Sequence, residues 1–81
     1  MADLERTILL APARIARAAA RFAPEPEQRW MLCQPLAVRR SYVEEVLDRP
    51  DEALRRQAWM LRQPDEVRLS YVREVLEARK P

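Results

Sequence analysis

Residues 28–47 and 57–76 are two versions of one segment, QRWMLCQPLAVRRSYVEEVL and QAWMLRQPDEVRLSYVREVL, set 29 residues apart. Fourteen of the twenty positions are identical, including Trp30/Trp59, Gln34/Gln63, Pro35/Pro64, Arg39/Arg68, Ser41/Ser70 and Tyr42/Tyr71. Self-similarity at a fixed period marks a repeated structural unit. The chain therefore reads as an internal duplication, and any local structure assigned to one copy has to suit the other.

Proline supplies the punctuation. It fits the first turn of a helix and cannot sit deeper, and here it falls between two helix-like runs in each copy and at the copy boundaries. In Pro50-Asp51-Glu52 and Pro64-Asp65-Glu66, acids follow the proline where they suit the positive end of a helix macrodipole. Helices are predicted at about 25–34, 36–48, 51–63 and 65–79, after an N-terminal helical segment interrupted at Pro12. With neither glycine nor asparagine, the tight turns of β-hairpins are not accessible. The expected fold is all-α: a tandem duplication of a 29-residue helical hairpin forming a compact four-helix core, plus an N-terminal amphipathic helix. The segments are 1–23, 24–49 and 50–81 within one domain. Two units are too few for a solenoid, so they are expected to face each other about a pseudo-two-fold axis.

Helical projection places Val38, Tyr42, Val43, Val46 and Leu47 on one arc, matched by Val67, Tyr71, Val72, Val75 and Leu76. Arg39 and Arg68 fall inside these arcs. A buried guanidinium is costly unless paired, so each is expected to snorkel outward, to pair with a glutamate such as Glu74 or Glu45, or to hold an acidic group of a partner. Trp30 and Trp59 point away from Leu32 and Leu61, which leaves core filling and partner anchoring both open. In Ala11 to Ala23, Arg14, Arg17 and Arg21 share one face and Ile15, Ala19 and Phe22 another, giving a basic amphipathic helix. Ion pairs are expected between Glu52 and Arg55 or Arg56, Glu45 and Arg49, and Arg73 and Glu77.

Composition narrows the function. In 81 residues there is no histidine and one cysteine, Cys33, which leaves neither an internal disulfide nor the usual zinc set. Cys33 is replaced by Arg62 in the second copy and reads as a partly buried filler. No cofactor and no metal are expected. The pairs Ser41/Glu45 and Ser70/Glu74 are read as local hydrogen bonds, and no catalytic residues are assigned. No apolar run reaches the roughly 20 residues of a membrane span, and the acidic start does not resemble a secretory signal. A cytoplasmic protein is expected, and the arginine and alanine bias suggests a bacterial or phage genome. The net charge of +2 is concentrated at the N-terminus, where residues 1–23 carry four arginines against two acids.

These features point to a non-enzymatic, protein-binding helical module: an adaptor, assembly factor or inhibitor acting by occlusion or bridging. Trp30, Trp59, Arg39, Arg68, Tyr42 and Tyr71 are the candidate partner-binding residues, and a symmetric partner or a homodimer suits two like units. The alternative is a small nucleic-acid-binding regulator using Arg14, Arg17, Arg21, Arg55 and Arg56.

Overall fold

The breaks fall at the prolines. A computed structural model describes residues 2–80, with side chains from Leu4 onward, and among these it contains helices and no strand. Helix α1 is Ala2–Leu9 and α2 is Ala13–Ala20, separated at Pro12. They are followed by α3 (Pro26–Leu32), α4 (Leu36–Tyr42), α5 (Glu52–Leu61) and α6 (Asp65–Tyr71). Pro35 and Pro64 take nearly identical extended conformations, φ −58°, ψ 154° and φ −59°, ψ 157°, and their carbonyls accept the first bonds of α4 and α6. A proline there loses nothing, because the first N–H groups of a helix have no partner inside it.

Helix α5 opens differently. Asp51 precedes it with φ 59° and ψ 50°, the single left-handed residue among those described. Aspartate tolerates this region better than most residues, so it turns the chain where no glycine exists to do so.

The sequence pattern does not forecast a further element. Helices α4 and α6 each run on into a π-helical turn, Val43–Leu47 and Val72–Leu76, closed by bonds from Asp48 N–H to Val43 O and from Glu77 N–H to Val72 O, both 2.9 Å. The same widened turn at the same place in both copies indicates that shared residues cause it.

The core is built from Trp30, Trp59, Tyr42, Val43, Val46 and Val75, with Leu9, Ala16 and Ala20 brought in by α1 and α2. The radius of gyration, 12.1 Å, matches the roughly 12 Å of a compact chain of this length. Helix α3 packs on the π turn after α6, and α5 packs on the π turn after α4. Helices α3 and α4 make few contacts with each other, and within the duplicated segments the principal packing of α3 and α5 runs between the two sequence copies. The extended Pro35 and Pro64 splay the helices of each unit apart and leave each tryptophan to find its packing partner in the other unit.

Helix α1 packs on α3, α4 and the first π turn, and α2 packs on α3. The buried side of α2 is Ala16 and Ala20, not Ile15 and Phe22, which are exposed. Small residues let α2 lie close on its neighbour, and the bulky ones are left at the edge.

Candidate interaction surface

The shared residues form two matching arrangements. Trp30 Nε1 donates to Ser70 Oγ, and Trp59 Nε1 donates to Ser41 Oγ, each at 2.9 Å. Trp30 meets Tyr71 edge-on and Trp59 meets Tyr42 edge-on, each with ring centroids 5.3 Å apart. Such pairs contribute about 1 kcal/mol beyond area burial. Each serine in turn donates to the glutamate four residues on, Ser41 to Glu45 and Ser70 to Glu74, as the spacing suggests. Gln34 and Gln63 donate to the carbonyls of Trp30 and Trp59, both at 3.0 Å, adding a second donor to groups that already accept from the N–H of Cys33 and Arg62.

Where the two arrangements meet, the residues differ in charge. Glu27 and Arg56 are 29 positions apart and pair with each other at 3.4 Å. Tyr71 OH donates to Glu27 at 2.8 Å and Arg56 Nε donates to Tyr42 OH at 3.3 Å. Identical copies would bring like charges together here, so opposite charge at this position suits two units that face each other within one chain. Burial, then the bond to Glu27, pushes the Tyr71 hydroxyl up to about 12, and burial also raises Tyr42. Of the ion pairs read from spacing, Glu52 and Arg56 meet at 2.8 Å, whereas Glu45 pairs with Arg62 and not with Arg49.

Four of the six residues proposed as partner-binding are therefore interior. Trp30, Trp59, Tyr42 and Arg39 are buried, and Tyr71 and Arg68 are half-buried. Aromatic side chains in a chain this short are needed for the core, which removes them from the surface.

Arg39 finds neither of the glutamates expected for it. It donates to three backbone carbonyls: Nε to Gln34 O at 2.9 Å, and Nη1 to Leu9 O at 2.8 Å and Ala11 O at 2.6 Å. Leu9 and Ala11 lie at the C-terminal end of α1, where unpaired carbonyls and the negative end of the helix dipole favour a cation. Burial first, and the charge of Arg17 second, lower the Arg39 pKa from its ordinary value.

Arg68 has no such cover. It pairs with Asp65; like Nη2 of Arg39, its Nε is enclosed without a hydrogen-bond partner. Asp65 stands where the first copy has Leu36. Of the arginines in the nucleic-acid alternative, Arg14, Arg17, Arg21 and Arg55 are exposed with no ion pair among the described residues, while Arg56 is held by Glu27, Glu52 and Tyr42. Cys33 is exposed, not a partly buried filler, because it closes the end of α3 at the rim.

Two apolar features remain open to solvent. One is a cleft of about 860 Å³ between α1, α2 and α3, floored by Ile8, Leu9 and Met31 and bounded at one end by Glu27 and Arg56. Phe22, 86% exposed, stands at its edge with Leu4. The other lies on the second unit, where Leu61, Leu69, Val72 and Leu76 are exposed. Neither was legible in the sequence, because each depends on where α1 and α2 come to rest.

Among the described residues, no group of three or more histidine, cysteine or acidic side chains could hold a metal ion, and no helix is long and apolar enough to cross a membrane. No protein-family model matches the chain, and neither a curated protein nor a solved structure is significantly similar to it.

Proposed function

We propose that the chain is a duplicated helical unit whose copies close on each other about a pseudo-two-fold axis, and that it works as a non-enzymatic protein-binding module. The observation that carries this reading is the apolar cleft with Phe22 and Leu4 at its edge. Single exposed apolar residues are ordinary, but large ones gathered around a concave apolar surface mark a binding site. Its chemistry suits an apolar side chain or helix face of another protein, with Glu27, Arg56 and Arg79 orienting polar groups at the charged end. Binding there would act by occlusion or by bridging. Because α1 and α2 cover the first unit, the chain presents unlike surfaces, which supports a single partner over a symmetric one.

The nucleic-acid alternative keeps one specific support, the exposed cations Arg14, Arg17, Arg21 and Arg55. Affinity purification of tagged protein under nuclease treatment, comparing wild type with Phe22→Asp, separates the readings. A stoichiometric protein partner that survives nuclease and is lost on Phe22→Asp supports the module. Recovery of nucleic acid alone, lost steeply with salt, overturns it.

A further inference from the structure

The first unit shows what its own apolar face is built to hold. Helix α1 ends on that face: Val43 is 0% exposed and Leu32 7%, Arg39 grips the carbonyls of Leu9 and Ala11, and Arg6 pairs with Asp48 at 3.3 Å. An apolar floor, a cation under the helix end and an acid beside the preceding turn thus recognise the last turns of one amphipathic helix.

All three features recur at the matching positions of the second unit, 29 residues on. Val72 and Leu61 replace Val43 and Leu32, Arg68 replaces Arg39, and Glu77 replaces Asp48. No helix covers them as α1 covers the first unit: Val72 is 43% exposed, Leu61 66%, and Glu77 makes no ion pair among the described residues. Leu69, where the first unit has the exposed Arg40, adds an exposed apolar side chain to the same helix.

We infer that this face of the second unit is a docking site for the C-terminal end of an amphipathic helix from another protein, one that resembles α1. That helix presents apolar residues in its last turn, free terminal carbonyls to Arg68, and a basic residue about one turn earlier to Glu77. Charge complementarity fixes its direction, because only the negative C-terminal end suits the guanidinium. A second copy of this chain is disfavoured as the occupant: its single α1 already covers its own first unit, and moving it would bare Arg39 and Val43 for no net gain. Asp65 holds Arg68 in the meantime and has to release it for docking.

This inference rests on reading the chain as a protein-binding module, but uses a different face from the Phe22 cleft. The probe is a synthetic peptide with the sequence of residues 2–12, titrated into isotope-labelled full-length protein and followed by amide NMR shifts. A helix this short is marginal alone, so binding is weak and the titration extends to millimolar peptide. The expected result is saturable shifts at Leu61, Arg68, Leu69 and Val72. Arg68→Met should weaken binding about tenfold, the peptide carrying Arg6→Glu should bind several-fold less, and Asp65→Leu should bind more tightly by freeing Arg68. Val72→Glu should abolish the shifts while circular dichroism shows the fold retained at a small cost in melting temperature, since that side chain is already partly in water. Shifts at Leu32, Arg39 and Val43, or no saturation, or equal binding by Arg68→Met, would overturn the inference. A failed titration beside a partner still captured through Phe22 overturns this site alone and leaves the protein-binding reading standing.

Discussion

Arg39 and Arg68 each sit four residues after a proline, in the same place on matching helices, yet one is sealed inside the molecule and the other lies half in water. The two units share their residues, their extended prolines, their π turns and their tryptophan contacts with serine and tyrosine. They differ in what lies on top. Helix α1 brings carbonyls and leucines to the first unit, and nothing equivalent reaches the second. Burial is therefore conferred by the neighbour, and the buried guanidinium of Arg39 is offset by three backbone acceptors at Nε and Nη1 although its Nη2 stays without one.

The comparison can be tested first where the units should be equal. Trp30→Ala and Trp59→Ala should each lose about 4 kcal/mol, a large part of the stability of a chain this size. Folded fractions from circular dichroism should fall together, and a clear difference between them would break the reciprocity of the two arrangements. Next come the arginines, where the units should differ. Arg39→Met should cost about 3 kcal/mol by stranding the Gln34, Leu9 and Ala11 carbonyls, whereas Arg68→Met should change stability by less than about 0.5 kcal/mol. Equal urea midpoints would show that α1 does not seal the first unit.

Smaller, but of the same kind, is the valine pair. Val43→Ala should lose about 2 kcal/mol, from two buried carbons and the cavity they leave, and Val72→Ala only a few tenths. The smallest expected effect concerns pH. Tyr71 is held neutral in the fold, with its pKa raised to about 12 from an ordinary 10. Its contribution is full below about pH 10 and is lost as pH climbs toward 12, because the unfolded chain releases that proton first. Melting temperatures should fall across this window, and Tyr71→Phe should flatten part of the fall.

Much of the architecture was legible from punctuation. The prolines located the breaks, and the duplicated positions Gln34/Gln63, Ser41/Ser70 and Glu45/Glu74 each turned out to serve one local bond in both units. The candidate site was far less legible. Tryptophan, tyrosine and arginine at those positions suited both a core and an interface, and four of the six named are buried. The signal available for the observed contacts was the opposite charge of Glu27 and Arg56 at equivalent positions of the two copies, which pair with each other.

By itself the sequence determined that this chain is helical and where each helix begins, because proline geometry and helix-end hydrogen bonding act within a few residues. It also determined that two like units exist. Only the tertiary structure decided which side chains meet between those units, that α1 covers one and not the other, and which apolar side chains remain in water. These outcomes depend on contacts between residues roughly 20 to 50 positions apart, which are settled by which surfaces exclude water together and which buried donors find acceptors.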